Sequence, residues 1–252
     1  MRALEGGARE LKGLAVAVGV KAAAVGYLAL SGPDYALHQY VLGAAFAPRL
    51  DGQPDMMLMM ACLLPQLVFV YGFCDYLPSG LLDQATSVMP RLSTRASWAA
   101  RRTRRLVAAV AAYVLAGNLA GVVALIVVGG GLPAGALTVV GCSLPLELMI
   151  TTLLALLSNA AALLVDPVVA AAAVLGVHGG ALVFHAFQPL SGALVAAPWL
   201  PSARSVLAWH DVPGVASGAP GLTLGGSCAL LAALALLAAF VLVRIVSCSD
   251  IV

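Results

Sequence analysis

Charged residues are scarce in this sequence. Only 10% of its 252 residues are Asp, Glu, Lys or Arg, whereas a soluble domain carries about 25%. The hydrophobic fraction is 62%, and the mean hydropathy is +1.02. So few charges cannot cover a water-facing surface, which excludes an ordinary soluble domain and indicates that lipid is the solvent of this chain. We expect no nucleic-acid partner.

Lysine is nearly absent, and the ATP-binding motif that requires it is missing. The two lysines are Lys12 and Lys21, and neither ends a G-x-x-x-x-G-K phosphate-binding loop. We therefore expect the chain to bind no cofactor itself, so that any ATP and Mg²⁺ would be held by a partner. The five cysteines form no C-x-x-C pair, so the sequence predicts neither a disulfide framework nor a metal site.

Long apolar runs are abundant. A helix that crosses a bilayer needs about 20 mostly apolar residues, and the sequence contains six such runs. We predict an all-α membrane protein in which residues 1–252 form a single transmembrane domain, a bundle of six helices. The predicted spans are residues 14–31, 56–75, 106–128, 136–158, 167–187 and 222–243. Asp166 followed by Pro167 predicts the break between the fourth and fifth spans, because Asp caps helices and Pro is favoured in their first turn.

Basic residues are concentrated on one side of the predicted membrane. Ten of the thirteen fall in the N-terminal segment, in segment 76–105 or in the C-terminal tail: Arg2, Arg9, Lys12, Arg91, Arg95, Arg101, Arg102, Arg104, Arg105 and Arg244. The positive-inside rule then puts both termini and segment 76–105 in the cytoplasm. Leu4, Ala8 and Leu11 share one helix face, which predicts an N-terminal interfacial helix on the inner membrane surface. We expect a multi-pass protein of a plasma membrane.

The opposite side is predicted to consist of two main exterior loops, residues 32–55 and 188–221. The second loop contains Trp199 and Trp209, and tryptophan is typical of a membrane–water interface. Pro201 and Arg204 follow Trp199 shortly before the last span.

Segment 76–105 is the most informative polar stretch. Its arginines alone are sufficient for a positive-inside anchor. It also places Leu82 and Asp83 before an Arg-Ser-Arg-aromatic pattern formed by Arg91, Ser93, Arg95 and Trp98. This pattern and the six-span topology resemble the permease subunits of ABC-2-type transporters, particularly small bacterial exporters of the antimicrobial-peptide or lantibiotic-immunity kind.

The resemblance implies an ATP-driven export function for a peptide or other amphipathic substrate. A cytoplasmic coupling helix between spans 2 and 3 would contact a separate ATPase subunit through Leu82, Asp83, Arg91, Ser93, Arg95 and Trp98. A second permease copy or a related permease subunit would complete the pathway, and this chain would not itself be an enzyme. Trp199, Pro201 and Arg204 match the exterior segment that such permeases have before the last span.

Two ionisable residues lie within predicted spans, and such residues are candidates for function. Lys21 lies in the first span, where it could extend its ammonium to the inner interface. Glu147 lies near the middle of the fourth span. Three interpretations stay open for Glu147: a protonated side chain, an ion pair with Lys21, or a place on the wall of a polar cavity.

His178 and His185 are seven residues apart in the fifth span and share a helix face. With Glu147 they could form a metal site, but no zinc-binding spacing supports it, and a helix-packing role is favoured. Gly117 and Gly121 form a G-x-x-x-G, which permits close helix packing.

Two other functions remain as alternatives. An ion-coupled secondary transporter would carry protons on Glu147, His178 or Lys21. An intramembrane enzyme would need a catalytic constellation, for which Glu147, His178 and His185 are the only candidates. An ATPase partner favours the permease hypothesis, and transport by the chain alone under an ion gradient excludes it.

Overall fold

The computed structural model describes residues 2–41, 43–46, 55–88, 92–189, 197–212 and 222–248. Within these ranges six helices are long and apolar enough to cross a membrane, which confirms the predicted helical membrane fold with six membrane-length helices. The α-helices in chain order are α1 (Arg2–Ala29), α2 (Pro33–Ala36), α3 (Met56–Gly72), α4 (Tyr76–Val88), α5 (Leu92–Gly129), α6 (Ala136–Ala161), α7 (Pro167–Phe187), α8 (Pro201–Arg204) and α9 (Leu224–Cys248).

The N-terminal residues form one helix with the first span. Helix α1 runs without a break from Arg2 to Ala29, so the predicted interfacial helix is not a separate element. The physical reason is local: Gly13 is the only weak helix former at the expected junction, and a single glycine costs only about 1 kcal/mol relative to alanine. The side chains of residues 2–9 lie outside what the structure describes.

Segment 76–105 is helical on both sides of residues 89–91. Helix α4 covers its first half, and α5 begins at Leu92, well before the predicted start of the third span at residue 106. Helix α5 has 38 residues and is therefore about 57 Å long, against a hydrocarbon core of about 30 Å. The arginines at 101, 102, 104 and 105 mark the N-terminal limit of the apolar run in the sequence. The helix nevertheless continues through them, because arginine is a good helix former.

The break between α6 and α7 occurs where it was predicted. Helix α6 ends at Ala161 and α7 begins at Pro167. The Asp166 carboxylate accepts hydrogen bonds from the backbone N–H groups of Val168 and Val169 at 2.8 and 3.4 Å. These bonds satisfy two donors that the first turn of a helix leaves free.

The helices pack around one large apolar core. Helix α1 packs most extensively on α5, and α9 packs most extensively on α6. At α1–α5 the approach is close because of Gly121, where an added Cβ would lie 3.4 Å from Val25 Cγ2. The predicted role of the glycine pair at 117 and 121 in close packing therefore agrees with this geometry.

The two predicted exterior loops are folded into the end of the bundle opposite α4, as far as they are described. After α2, a π-helical turn (Leu37–Val41) and a 3₁₀ turn (Ala44–Phe46) bury Ala36, Leu37, Ala45 and Phe46. In the second loop, α8 and the 3₁₀ turn at Leu207–Trp209 bury Ser202, Ala203, Leu207, Trp209 and His210. Trp199 is 82% exposed but Trp209 only 3%, so Trp209 packs in the core and only Trp199 is free to meet an interface.

Candidate functional site: a buried ion pair beside a polar cavity

Lys21 and Glu147 form an ion pair inside the bundle. Lys21 projects from the middle of α1 and Glu147 from the middle of α6, and Lys21 Nζ lies 2.5 Å from Glu147 Oε1. The Lys21 side chain is 2% exposed and that of Glu147 is 25% exposed. The ion pair, one of the interpretations left open for Glu147, is thus observed, and Lys21 is buried rather than extended to the interface. Burying an ionised group in hydrocarbon is costly unless the group is paired, so each side chain compensates for the burial of the other.

Asn118 completes the polar contacts of Glu147. Its Nδ2 donates to Glu147 Oε2 at 2.8 Å and to the carbonyl oxygen of Val114 at 2.8 Å. Both carboxylate oxygens of Glu147 are therefore bound by donors, one charged and one neutral. An ionised carboxylate only accepts hydrogen bonds, and this arrangement suits it. The three side chains connect α1, α5 and α6 at the middle of the bundle.

Two tyrosine rings flank the Lys21 ammonium. Its Nζ lies 6.0 Å from the ring centroid of Tyr40 and 5.8 Å from that of Tyr113. Both distances are within the range of a cation–π contact. Gly117 gives the lysine stem its space, because an added Cβ there would lie 2.8 Å from Lys21 Cδ.

Glu147 also faces a small polar cavity, so two of the open interpretations apply together. The cavity has a volume of about 110 Å³, which is enough for several waters or one small polar group. Besides Glu147, its polar lining includes Tyr40, Gln66, Tyr113, Asn118, Ser143 and His178. The Gln66 Nε2 atom donates to Thr151 Oγ1 at 3.1 Å. Leu207 and Val206 from the second folded loop close part of the wall.

The two histidines of α7 have separate surroundings. His178 Nδ1 lies 2.9 Å from Ser202 Oγ, which ties α7 to α8. The ring of His185 packs against Trp209, with 5.8 Å between the centroids. Among the described residues no group of three or more His, Cys, Asp or Glu side chains has a metal-binding arrangement. The considered set of Glu147, His178 and His185 is thus not assembled as one site.

His210 closes the second folded loop. Its Nδ1 lies 3.0 Å from the carbonyl oxygen of Val206, so the tautomer with Nδ1–H donates to that carbonyl. Burial lowers the pKa of His210 below its ordinary value of 6.5, and hydrogen bonds to backbone carbonyls partly oppose this.

Arg204 holds the residues before the last span. Its Nε donates to the Pro198 carbonyl oxygen at 2.8 Å, and its Nη1 lies 3.3 Å from Ser227 Oγ in α9. Pro201 occupies the first turn of α8, where a missing N–H costs nothing. The expected trio of Trp199, Pro201 and Arg204 is thus close in space, with Arg204 joining it to α9.

At the other end of the bundle, Arg102 joins α4 to α5. Its guanidinium lies 5.1 Å from the Tyr76 ring centroid and 5.7 Å from that of Trp98. Gly80 allows this approach, because an added Cβ there would lie 2.9 Å from Arg102 Nη2. Trp98 is buried in a small apolar cluster with Leu81, Ala99 and Val246. The sequence singled out Trp98 but not Arg102, because nothing in the sequence distinguishes Arg102 from the arginines at 101, 104 and 105.

The remaining residues predicted for the coupling segment are distributed over two helices. Leu82 lies in α4 and is 78% exposed. Asp83 also lies in α4, and Ser93 and Arg95 lie in the first turn of α5. The side chains of Asp83 and Ser93, and the whole of Arg91, lie outside the described residues.

Asn159 fixes the corner where α3 meets α4. Its Oδ1 accepts from the Leu77 N–H at 2.9 Å, and its Nδ2 donates to the carbonyl oxygens of Phe73 and Ala155 at 2.8 and 2.9 Å. The side chain thereby binds the Leu77 N–H, one of the first-turn donors that a helix leaves free, and it donates to one carbonyl oxygen at the end of α3 and to one within α6. Sequence reasoning placed Asn159 in a turn and overlooked this contact. The only signal was a polar amide within an Ala- and Leu-rich run.

Comparison with known proteins adds no relative to these observations. No protein-family model, no curated protein and no solved structure matches this chain. The two constellations, the central ion pair with its cavity and the corner formed by α4, are therefore interpreted from their own residues.

Proposed function

We propose that this chain is the membrane-spanning permease subunit of an ATP-driven exporter. It forms half of a translocation pathway together with a second permease copy or a related subunit, and a separate ATPase subunit holds ATP and Mg²⁺. The cargo is a peptide or another amphipathic molecule. The observation that carries the proposal is the attachment of α4, the helix between the second and third spans, to the helices around it.

Helix α4 is attached to α5 and α6 through its first turn. Asn159 of α6 binds the backbone where α3 turns into α4, and Arg102 of α5 lies near the Tyr76 ring. A displacement of α4 is therefore passed to α3, α5 and α6 rather than absorbed in a flexible loop. Packed helices with two arrangements transmit displacement in this way.

The same end of the bundle offers a surface for a partner. Leu82 is exposed on α4, and Arg101, Arg104 and Arg105 are exposed on α5. An apolar side chain beside unburied guanidinium groups is suited to a protein surface with an apolar pocket and acidic rim. With the proposed orientation, this surface faces the cytoplasm, where an ATPase subunit would be.

The proposal is tested by purifying the tagged chain from its native membranes and measuring ATP hydrolysis in the eluate. We expect a co-purified ATPase for the wild type. Leu82→Asp should lower the recovered ATPase by about tenfold or more, because a charge replaces a central apolar contact. The matched control is Leu164→Asp, since Leu164 is 74% exposed in the turn between α6 and α7 at the same end of the bundle. Loss of the co-purified ATPase with both variants, or its absence with the wild type, contradicts the proposal.

An ion-coupled secondary transporter is the second candidate, and the Lys21–Glu147–Asn118 contacts favour it. A carboxylate bound by two donors and 25% exposed beside a cavity is a plausible proton carrier. In proteoliposomes that contain this chain alone, a carrier moves cargo when a proton gradient is imposed without ATP, and Glu147→Gln abolishes that transport. The permease proposal expects no gradient-driven transport in the same vesicles.

A further inference from the structure

An apolar groove lies between α3 and α7 on the outer surface of the bundle. It has a volume of about 670 Å³, within the range of pockets that hold organic ligands. Its walls are aliphatic apart from Tyr71, and three glycines of α7 form its floor: Gly176, Gly179 and Gly180. In a membrane this surface faces lipid, so a flexible hydrocarbon chain fits it.

The groove and the polar cavity adjoin at one shared side chain. Leu63 lines both of them. On α7, His178 lines the cavity and the next residue, Gly179, lines the groove. A Cβ at Gly179 would lie 3.7 Å from Leu63 Cδ1, so Leu63 rests on the glycine. A passage between the two spaces would therefore run past Leu63.

The ion pair presents its carboxylate to the cavity rather than its ammonium, and this orientation favours a cationic group. Glu147 is 25% exposed and lines the cavity, whereas its partner Lys21 is 2% exposed. A ligand entering the cavity therefore meets a carboxylate and not the ammonium. The rings of Tyr40 and Tyr113 also line this space, and they already flank the Lys21 ammonium. A carboxylate with aromatic faces is the chemistry that recognises alkylated ammonium groups.

We propose that the cavity and the groove together bind a single-chain amphiphile with a small ammonium headgroup. The headgroup lies beside Glu147, and the hydrocarbon chain leaves past Leu63 into the groove between α3 and α7. This inference rests on the proposed export function and names the substrate class of the same pathway. A cavity of about 110 Å³ admits a headgroup of a few heavy atoms and excludes a folded peptide.

The test is equilibrium binding to the full chain in lipid nanodiscs, without any ATPase. The probe is radiolabelled dodecyltrimethylammonium, compared with dodecyl sulfate and with tetramethylammonium. We expect saturable binding of the first probe at least about tenfold tighter than either comparison, because both the carboxylate and the apolar chain contribute. Equal binding of dodecyl sulfate overturns the proposal, since it would reflect partition into the lipid.

Two sets of variants locate the site. Gly179→Leu fills the groove without touching the ion pair and should weaken binding by about tenfold. Gly141→Leu is its control, because Gly141 is exposed on α6 and has no atom within 4 Å of an added Cβ. The double variant Lys21→Met/Glu147→Gln removes both charged groups, so no buried charge is left without its partner. It should abolish the preference for the ammonium probe over the sulfate probe.

Other results have definite meanings. Unchanged binding in Gly179→Leu overturns the groove as the binding site. If Gly179→Leu instead halves the number of chains per nanodisc, the groove is an interface between copies, and the proposal fails. Because no ATPase is present, failure here leaves the permease proposal intact when Leu82→Asp still releases the ATPase. Conversely, amphiphile binding without any ATPase partner would leave the site standing and remove the ATP-driven function.

Discussion

Lys21 and Glu147 are separated by 126 residues in the sequence, and their side chains are hydrogen-bonded to each other in the bundle. The pair fixes the relative depth of α1 and α6, because neither side chain finds another opposite charge within the described residues. Asn118 adds α5 to the same arrangement. The middle of the bundle is thus held by polar contacts, and apolar packing surrounds them.

Removing one member of this pair should destabilise the protein more than removing both. Lys21→Met or Glu147→Gln leaves one buried polar or charged group without its partner, which costs about 3–5 kcal/mol. The double variant should be within about 1–2 kcal/mol of the wild type, because two apolar or neutral groups replace the pair. Unfolding by titration with sodium dodecyl sulfate, followed by circular dichroism, measures the differences. Additive effects of the single variants would show that the two side chains are not coupled.

Gly117→Ala should destabilise the contact between α1 and α5. The new methyl group would lie 2.8 Å from the buried Lys21 Cδ, so the lysine stem must shift, and overpacking of this kind costs about 1–3 kcal/mol. Gly141→Ala is the control, because nothing lies within 4 Å of its added Cβ, and alanine is the better helix former. The same unfolding titration is used. Equal stability of the two variants would contradict the close approach at Gly117.

Asn159→Ala should loosen the corner between α3 and α4. It leaves the Leu77 N–H without its partner, and an unsatisfied buried group costs about 1–3 kcal/mol. The Phe73 carbonyl oxygen loses one donor but still accepts from the Tyr76 N–H. Ser158→Ala is a neighbouring control, because Ser158 is fully buried and its hydroxyl has no hydrogen-bond partner among the described residues. We expect the control to be nearly neutral. Thermal unfolding in detergent compares the two variants. A larger drop in melting temperature for Ser158→Ala than for Asn159→Ala would contradict the role given to Asn159.

Arg102→Ala should release α4 from α5 while leaving the spans folded. The guanidinium contacts two aromatic rings, and each exposed cation–π contact contributes about 0.5–1 kcal/mol. Hydrogen exchange of the α4 amides should therefore become several-fold faster. Arg101→Ala serves as the control, because Arg101 is exposed. If both variants exchange equally, Arg102 does not hold α4.

The proposed orientation is tested by labelling cysteines in intact cells. Cys248 is exposed at the end of α9, so a maleimide that cannot cross membranes should label it only after the cells are opened. With the native cysteines replaced, Leu132→Cys in the turn between α5 and α6 should be labelled in intact cells, since Leu132 is 38% exposed at the opposite end. Labelling in the reverse pattern would invert the topology.

Hydropathy was sufficient to predict where the six spans lie, because each is a run of apolar residues near the length that a bilayer demands. It was insufficient for their ends. Hydropathy starts the third span at residue 106, directly after Arg105, whereas helix α5 begins at Leu92. Arginine's helix propensity and the packing of Trp98 stabilise the helix through the arginines. For the same reason, the N-terminal turns of α1 were predicted as a separate element.

The candidate site was predictable only in part. Lys21 and Glu147 drew attention because charge in a span requires a partner, and their pairing was one of the alternatives considered. Tyr40 carried no such signal, since it lies in a stretch of ordinary loop composition that folds back into the bundle. Cavities and grooves arise where three or more helices meet, and no periodicity in a single segment reports that.

The distance along the chain between Lys21 and Glu147 has a consequence for biosynthesis. At about 5–20 residues per second, the ribosome reaches Glu147 roughly 6–25 s after Lys21. Until then the lysine has no counter-charge, and we expect its ammonium to remain near the aqueous interface. Crosslinking from position 21 in nascent chains stalled before residue 147 should find it shallower than in the finished protein. Helix α1, although it is synthesised before α6, thus reaches its final depth only after α6 has been made.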